Sequence, residues 1–584
     1  MKEILRNVWH TDRRDFLLIL LLNIAVGILG SFSIVMLVPM LDLLEVPVGA
    51  GGGLQSLLQP FATMTYLQRA SVIIAIFAGI LILRALLNRT ATVRQNAYLE
   101  RYELGLRKQL YDAVHTAGWE TLSTRSYANL INLFTAQCRQ ARFCLQWTIG
   151  LIASVVTALM QLAIALWMSL PLTLVVLAVG CAFLFLFKPL LSKSKAYGKE
   201  AVEINQKLHR EIQNQLSSIK EIRAYGVEAE HAGRFDDISQ TYYDISLRTT
   251  QLQVLPQLCY SIAAAVMVAL AFVFSVLVLD TGTAQLVILV YIFSRLWPVF
   301  SSWQGQLQNI QTYVPAYETI QTAVAELSQG DREPVCKKGV LPFEREVVFD
   351  HVSFTYHDGY EAVLADMCFT LPSGSVTALV GPSGAGKSTT ADLLLGLLQP
   401  TGGRILVDGT ELTAENRSMW RKAIGYIPQD PLILNATVRE NLLRFHPDAT
   451  EEEMVDALKR SLAWPFVEQL PQGLDTLLGD KGVRLSGGER QRVVLARVLM
   501  GKPRFIILDE ATSALDYESE TFIRDTIRSL RGEATVLIIA HRLATIRGAD
   551  RAIVLEDGHI TQQGDMENLL EQDQGYLGRM VSVE

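Results

Sequence analysis

The sequence predicts a two-domain chain, an all-α domain of six membrane-spanning helices followed by an α/β domain with a largely parallel sheet. The first observation is a set of long apolar runs with almost no charged residue within the first three hundred residues. They account for a charged fraction of 19%, against roughly 25% in soluble proteins. The second observation is that short apolar strands alternate with helices and Gly-rich turns from Val347 onward, as in α/β domains. A chain of 584 residues has room for more than one hydrophobic core.

These apolar runs are long enough to cross a bilayer, which takes roughly 20 apolar residues. The first run shows no small-residue cleavage site, so it is interpreted as a membrane span and not as a cleaved leader. A bend near Pro171 divides the longest run into two spans. The runs are 16–41, 143–187 and 249–279, which carry no charge, 70–87, which is interrupted only by Arg84, and 281–300, which contains Arg295.

Lysine and arginine mark the cytoplasmic side of the membrane. They are concentrated between spans two and three and between spans four and five, whereas 42–68 has neither. Both termini, both long loops and the α/β domain are therefore predicted to be cytoplasmic. The two loops have helical patterning and few breakers, so the spans should continue as long helices into the cytosol, with tips near 118–132 and 217–235.

A polar stretch separates the two predicted domains. The predicted boundaries are 1–324 for the transmembrane domain, 325–345 for the linker and 346–584 for the α/β domain. The formal charge of -7 and the pI near 5.8 leave no basic excess to neutralise a nucleic acid, so no DNA or RNA partner is expected. The six cysteines form no CxxC pair and are interpreted as packing thiols, not as disulfides or metal ligands.

The segment GPSGAGKST lies between an apolar run at 376–380 and a helix-like stretch. Its glycines let successive backbone N–H groups point inward, and the following helix directs its positive end to the same place, which favours phosphate. Lys387 can then reach the β- and γ-phosphates, and the Ser388 hydroxyl can bind Mg²⁺. The predicted phosphate-binding residues are Gly381, Ser383, Gly384, Ala385, Gly386, Lys387, Ser388 and Thr389.

The segment FIILDE places two carboxylates after four apolar residues, as expected of a buried strand that ends at a catalytic edge. Asp509 suits the Mg²⁺ shell, and Glu510 suits the activation of an attacking water. Tyr356, about twenty-five residues before the phosphate loop, is an aromatic residue that could stack on a base, although such a tyrosine is more often part of a core.

The full ordered set of motifs resembles the ATP-binding cassette (ABC) family. The motifs are Walker A at 381–389, IPQD with Gln429, the signature LSGGE at 485–489, Walker B at 505–510, a D-loop at 513–516 and a switch histidine, His541. Six preceding spans with long cytoplasmic extensions are similar to the exporter-type (type IV) half-transporter of that family. The sequence departs from the family pattern at Glu489, where glutamine is usual, and at Asp480, where glutamate is common.

The resemblance implies ATP and Mg²⁺ as cofactors and assigns further roles to matching residues. Tyr356 would stack on adenine, Gln429 would lie near Mg²⁺ and the transmembrane interface, and His541 would contact the γ-phosphate. Signature residues of one subunit would touch the γ-phosphate bound by the partner subunit. These are Ser486, Gly487 and Gly488. GDKG at 479–482 occupies the place of the family's X-loop, and the two helical tips correspond to its coupling helices.

The function implied is an ATP-driven exporter or flippase of an amphipathic substrate (lipid-linked, peptide or natural product) in the cytoplasmic membrane. One chain supplies half of the family's twelve spans, so a homodimer is expected, with a heterodimer as the alternative. Two competing functional interpretations are a siderophore-type importer with the exporter fold and a non-transporting regulator. Residues 295–320 are weakly similar to the sixth span of lipid-linked oligosaccharide flippases, and IKEIRAYGVEAE is weakly similar to that group and to peptide exporters.

Arg295 lies about twelve residues into span six and therefore near the middle of the bilayer. A mid-membrane arginine costs roughly 2.5–3.5 kcal/mol on insertion scales and usually faces a partner or a water-filled cavity. One interpretation is a structural pair with Asn23, Gln146 or Gln161. The other is a cavity arginine that holds the anionic group of an amphipathic substrate.

Overall fold

The computed structural model describes residues 13–35, 65–168, 170–277, 283–328, 339–356, 361–509, 530–540, 546–571 and 575–583. Side chains inside some of these helices, among them 271–277 and 283–296, lie outside the described part. The chain divides into two compact units. One comprises Met1–His115 with Arg125–Ser328, and the other comprises Thr116–Thr124 with Gln329–Glu584.

The first unit is built from helices. The short helix α3 lies between two of them in the chain but belongs to the second unit. The helices are α1 (Arg13–Val35), α2 (Tyr66–Thr116), α3 (Trp119–Ser123), α4 (Tyr127–Asn132), α5 (Cys138–Met168), α6 (Leu170–Leu186), α7 (Lys188–Ser217), α8 (Ile219–Tyr225), α9 (Glu228–Leu277) and α10 (Thr283–Ser328). A π-helical turn, Leu133–Gln137, joins α4 to α5.

Three of these helices are longer than any bilayer requires. Helices α2, α9 and α10 have 51, 50 and 46 residues, which at a rise of 1.5 Å per residue gives roughly 70–77 Å. The hydrocarbon core of a bilayer is only about 30 Å thick. The observed lengths agree with the expectation that spans continue as helices beyond the membrane.

Length and hydropathy identify membrane-crossing helices directly in part of the unit. Within the described residues, Tyr66–Thr116 and Tyr127–Ala163 are long and apolar enough to cross a membrane. The pair Leu177–Leu186 and Lys188–Ser217, bent by 40°, gives a third if it forms one span. The other predicted spans each include residues outside the described part.

Helices α6, α7, α9 and α10 share an aromatic core. Tyr260 and Trp297 are almost fully buried and pack edge to face, with ring centroids 5.6 Å apart. Phe187 and Phe300 complete this buried cluster. Helices α7 and α10 also approach closely where Gly198 faces Thr312, since a Cβ at Gly198 would overlap the Thr312 carbonyl.

The second unit contains two sheets. The strands are β1 (Glu346–Phe354), β2 (Leu364–Pro372), β3 (Val376–Val380), β4 (Gly402–Val407), β5 (Thr410–Glu411), β6 (Ile424–Ile427), β7 (Phe505–Asp509), β8 (Thr535–Ile539), β9 (Arg551–Glu556) and β10 (His559–Asp565). The first sheet is antiparallel in the order β2-β1-β4-β5, and the second has the order β10-β9-β3-β8-β7-β6. Only the β9–β10 pair of the second sheet is antiparallel.

The described part of the second unit also contains α-helices. They are α11 (Lys387–Leu394), α12 (Arg417–Arg421), α13 (Val438–Leu443), α14 (Glu451–Arg460), α15 (Trp464–Gln469), α16 (Gly487–Met500), α17 (Met566–Leu570) and α18 (Tyr576–Val583). Strands β3, β7 and β8 are buried at every residue, as expected of parallel strands covered on both faces. Since β6, β3, β7 and β8 are parallel, the segments that follow them all start at one edge of the sheet.

Candidate nucleotide-binding site

The Gly-rich loop leaves β3 at this edge and leads into α11. Gly381, Gly384 and Gly386 have φ values of 153°, 84° and 101°, a region that residues with a Cβ rarely adopt. Space is also restricted, because a Cβ at Gly381 would overlap the carbonyl oxygen of Leu555 and one at Gly386 would overlap the Leu364 side chain. The loop can therefore keep this shape only with glycine at these two positions.

Lys387 begins α11 and is 5% exposed. Its Nζ donates hydrogen bonds to the carbonyl oxygens of Gly381 at 3.0 Å and Pro382 at 2.8 Å. The loop thus holds the ammonium group over its own backbone, at the N-terminus of α11 where the helix dipole favours an anion. Ser388 is exposed, whereas Ala385 and Thr389 are buried.

Asp509 ends β7 and is 8% exposed. The Tyr426 hydroxyl of the neighbouring strand β6 lies 3.2 Å from Asp509 Oδ2, so it donates a hydrogen bond to the carboxylate. Burial, and next the Asp509 charge, raise the pKa of Tyr426, which keeps the hydroxyl protonated and able to donate at neutral pH. Tyr426 therefore orients the carboxylate that the sequence assigns to Mg²⁺.

A further carboxyl group, Asp392 of α11, lies in this neighbourhood. Burial raises the pKa of Asp392 to about 6, and the charge of Asp509 acts in the same direction. Neither Asp392 nor Tyr426 is among the residues that the motifs predict for the site. Tyr426 precedes Gln429 by three positions and Asp392 follows Lys387 by five, so closeness to these motif residues is the signal that could have found them.

Tyr356 lies two residues beyond β1 and is exposed. Its ring packs edge to face against Phe354, with centroids 4.9 Å apart. Its hydroxyl is 3.2 Å from Thr389 Oγ1, which places the ring beside the first turn of α11. This position suits an aromatic residue that stacks on the base of a nucleotide held by the loop.

The signature segment forms the N-terminus of α16, with Ser486 as the N-cap residue. Glu489 and Ser486 make a reciprocal capping box, because Glu489 Oε2 accepts from Ser486 N at 2.7 Å and Ser486 Oγ accepts from Glu489 N at 3.3 Å. The Ser486 hydroxyl is also 2.8 Å from Glu489 Oε2. Gly487 and Gly488 form the first helical turn and are half-buried. The unusual glutamate thus stabilises the start of the helix.

The far end of α16 is fixed by Arg497, which is 7% exposed. Its guanidinium donates to the Leu432 carbonyl at 3.0 Å and lies 4.6 Å from the centroid of the Phe445 ring. Burial lowers the pKa of Arg497 to about 10, so it stays charged at neutral pH. Leu432 follows Gln429 by three residues, which ties the signature helix to the segment after Gln429.

Several predicted residues have a less complete description. Gln429 is exposed and follows β6 by two residues. Glu510 and His541 lie outside the described residues, and so does the D-loop at 513–516. Arg295 belongs to helix α10, but its side chain lies outside the described part. Asn23, one of its three considered partners, donates to Gln95 Oε1 at 3.3 Å.

Comparison with known families matches both halves of the chain. Residues 364–513 match the family model described as ABC transporter, and residues 16–299 match the one described as ABC transporter transmembrane region. The chain is also similar to the structure of a bacterial Atm1-family ABC exporter with ATP bound. The TM-score is 0.81 over 99% of each chain at 24% identity, so this likeness shows the fold.

Curated relatives are similar over most of the chain. A protein of Staphylococcus aureus named as a multidrug export ATP-binding/permease protein is 31% identical over 82% of this chain and 83% of its own length. The heterocyst differentiation ATP-binding protein HepA of Nostoc sp. is 36% identical over 61% of this chain and 58% of its length. ABC transporter B family member 17 of Arabidopsis thaliana is 32% identical over 70% and 33%. The chain thus spans less than two thirds of the length of the last two relatives.

Proposed function

This chain belongs to the ABC transporter family, whose members couple ATP hydrolysis to transport, and from that premise we propose an ATP-driven exporter of an amphipathic substrate. The observation that carries the proposal is the edge of the parallel sheet where the glycine loop, Lys387 and the buried Asp509 meet. The helical unit supplies the pathway for the substrate, because residues 16–299 match the ABC transporter transmembrane region. The cytoplasmic membrane is the proposed location.

The residues at this edge fit ATP with Mg²⁺. The glycine loop offers backbone N–H groups and Lys387 offers a cation to the phosphates, while Tyr356 stacks on the base. Ser388, Gln429 and Asp509 would hold Mg²⁺, which neutralises charge on the phosphates. Tyr426 fixes the Asp509 carboxylate by its hydrogen bond.

Hydrolysis needs a base and a contact to the terminal phosphate. Glu510 follows Asp509 directly and is proposed to orient the attacking water, with His541 on the γ-phosphate. The signature N-terminus of α16, with Ser486, Gly487 and Gly488, would bind the γ-phosphate held by a second subunit. A homodimer is therefore proposed, and a heterodimer is the alternative.

The proposed cycle joins the two units. ATP closes a pair of α/β domains, the helical tips at 118–132 and 217–235 carry that motion to the spans, and hydrolysis resets them. Export of lipid-linked, peptide or natural-product substrates, including lipid flipping, is favoured over import because the relative of Staphylococcus aureus, which is matched over 83% of its length, is named for export. A siderophore-type importer and a non-transporting regulator are the competing functions.

The test uses Glu510→Gln in the full chain. The variant should still bind ATP, because Lys387, Ser388 and Asp509 remain, but it should lose on the order of 10²–10⁴ in hydrolysis rate and trap a closed dimer. ATP-dependent substrate movement in inside-out vesicles should stop with it. If the Glu510→Gln variant hydrolyses ATP at the wild-type rate, the role of Glu510 is refuted. If the wild-type protein hydrolyses ATP but moves none of the substrates tested, the regulator is favoured.

A further inference from the structure

Strands β1 and β2 each contain a β-bulge, and the two bulges lie on either side of the Val352–Met367 pair. Strand β1 has one residue more than β2 between 349 and 352, and β2 has one more than β1 between 364 and 367. His351 and Asp366 lie in these bulges, each with a φ of 52°, a value that is uncommon outside glycine. Since a bulge redirects the side chain that it carries, both strands present these residues in directions that regular pairing would not give.

The two bulges bring three metal-binding side chains together. His351 Nδ1 lies 2.6 Å from Asp366 Oδ1, and both side chains are exposed. Cys368, two residues further along β2, has a free, half-buried thiol. Its Sγ, a ring nitrogen of His351 and a carboxylate oxygen of Asp366 all lie within 4.8 Å of one another. We call these three side chains the β1–β2 cluster.

The backbone beneath the β1–β2 cluster is held in place. The Asp366 N–H donates to Ser353 Oγ of β1 at 3.0 Å. On the other side of β1, a Cβ at Gly403 of β4 would overlap the His351 carbonyl oxygen, so the β1 bulge packs directly against the backbone of β4. The exposed side chains can rotate while these contacts fix the backbone that carries them, an arrangement suited to closing on a small ion.

An ordinary surface ion pair between His351 and Asp366 is the simpler interpretation, and such pairs contribute little to stability. It does not account for the position of Cys368. Cysteine spacing along the chain predicts a packing thiol there, because His351 comes from a different strand. The carboxylate next to His351 in the chain, Asp350, is already held by Arg404, whose Nε donates to Asp350 Oδ2 at 2.8 Å. The β1–β2 cluster therefore combines a thiol, an imidazole and a carboxylate, and not only opposite charges.

The class of ligand follows from these three groups. Thiolate, imidazole and carboxylate bind Zn²⁺ at about 2.0–2.3 Å, which puts the ligand atoms of a tetrahedral site roughly 3.3–3.8 Å apart. Mg²⁺ and Ca²⁺ take oxygen ligands instead. We propose that His351, Asp366 and Cys368 bind Zn²⁺, with water as the fourth ligand. The thiol and the imidazole release their protons to solvent on binding. The ion links the two bulges, and the site goes beyond the proposed transport function.

The binding experiment uses the whole chain in phosphatidylcholine nanodiscs, without an affinity tag, treated with a chelator and free of ATP. Co²⁺ is titrated as the coloured substitute for Zn²⁺, since a thiolate bound to Co²⁺ gives a charge-transfer absorption band. The band should saturate at one Co²⁺ per chain and disappear when Zn²⁺ is added, and this competition gives the Zn²⁺ affinity. Excess Mg²⁺ should leave the band in place, because Mg²⁺ needs oxygen ligands.

Three conservative variants each remove one ligand. Cys368→Ser should abolish the charge-transfer band. His351→Asn and Asp366→Asn introduce a residue that tolerates positive φ, and each should weaken Zn²⁺ binding at least about tenfold, which is what the loss of even an outer-shell partner costs. Without Zn²⁺ the three variants should unfold near the wild-type temperature, and the rise in unfolding temperature that Zn²⁺ gives the wild-type chain should be reduced in all of them.

Two further variants are matched controls. Cys181→Ser removes an exposed thiol from helix α6, and Asp350→Asn removes the carboxylate that Arg404 already holds. Both should keep the band and the Zn²⁺ affinity of the wild-type chain.

Three results would overturn the proposal. The first is the absence of a thiolate band in the wild-type chain, and the second is a band that survives in Cys368→Ser, which would place the bound metal at another thiol. The third is an unchanged Zn²⁺ affinity in both His351→Asn and Asp366→Asn, which would leave these two residues as a surface ion pair.

Discussion

At the scale of single residues, Glu489 has two effects, one on the start of helix α16 and one on the proposed ATP site. Its carboxylate caps α16 through Ser486 N and Ser486 Oγ, yet it puts a negative charge where the signature is proposed to meet the γ-phosphate of a partner's ATP. Capping favours the glutamate, whereas like charges repel across a few ångströms. In the proposed dimer the negative charge opposes ATP binding, whereas the cap needs only a side-chain oxygen that glutamine also carries.

Glu489→Gln should keep the capping box and remove the charge. We expect the KM for ATP to fall about 2–10-fold, with the larger change at low salt because the repulsion is screened as ionic strength rises. ATPase kinetics at two ionic strengths check this. Glu489→Ala, which loses charge and cap together, separates the two effects through its lower thermal stability. An unchanged KM at low salt for Glu489→Gln would show that the charge does not reach the nucleotide.

Asp392 is a residue whose ionisation opposes folding. Its pKa is raised to about 6 by burial, then by Asp509, so the folded domain binds a proton more tightly than the unfolded chain. The resulting penalty is complete above about pH 6 and shrinks as the pH falls toward the ordinary value near 4. Asp392→Asn should thus stabilise the protein at pH 7.5, on the order of 1–3 kcal/mol, and less at pH 5.

Thermal unfolding at the two pH values measures this, with Asp408→Asn as the opposite case. Burial alone would raise the pKa of Asp408, but backbone N–H donors of Glu346, Glu344 and Arg345 lower it. A lowered pKa contributes stability that is present above about pH 4 and lost on acidification. Asp408→Asn should therefore destabilise at pH 7.5. Equal effects of the two substitutions would contradict the assigned causes.

At the scale of elements, helix α16 is the part that must hold its position at both ends. Ser486 and Glu489 cap the start, and Arg497 fixes the last turns to the Leu432 carbonyl and the Phe445 ring. The contact between Arg497 and Leu432 matters because Leu432 follows Gln429 by only three residues. A shift of that segment would be transmitted to the signature.

Arg497→Met should destabilise the α/β domain by roughly 2–4 kcal/mol, since it removes a buried charged donor and leaves the Leu432 carbonyl without it. Denaturant unfolding gives the magnitude. Arg484→Met is the matched control, because Arg484 also donates to a carbonyl, that of Leu477 at 3.0 Å, but is exposed. A loss in Arg484→Met as large as in Arg497→Met would mean that burial is not the cause.

Elements differ in how far sequence could predict them. The glycine loop was predictable because its positive φ values are a local property of Gly381, Gly384 and Gly386, and the buried strand before Asp509 was predictable from its apolar run. The hydrogen bond from Tyr426 to Asp509 was not, because it depends on β6 lying beside β7, which is a non-local pairing. The capping role of Glu489 is visible in the S-x-x-E spacing, although the signature pattern marks this glutamate only as a departure.

At the scale of the whole molecule, the proposed dimer makes each ATP site from two chains. A Lys387→Ala chain and a Ser486→Arg chain should each form inactive homodimers. Mixed together, they form one site with both defects and one with neither, so purified mixed dimers should recover hydrolysis, up to about half of the wild-type rate. Absence of any recovery would count against independent sites shared in trans.

A cavity between α5, α9 and α10 was the part of the helical domain that sequence could not predict. Trp147, Gln257 and Tyr260 stand in helices whose apolar runs predicted spans, but nothing local indicates that they line one cavity. Their convergence depends on how α5, α9 and α10 pack. Arg295 is visible in the sequence as a charge within an apolar run, whereas uncharged polar residues in helices are common.

The length of α2 has a mechanical consequence. A straight rod of 51 residues measures about 77 Å at 1.5 Å per residue, so tilting it by about 5° about one end sweeps the other end through roughly 7 Å. A tilt this small lets the side chains at the pivot keep their rotamers. The opposite tip of the helix nevertheless moves by roughly 7 Å. A rigid helix of this length would act as a lever, with a tip displacement that grows in proportion to its residue count for a given tilt.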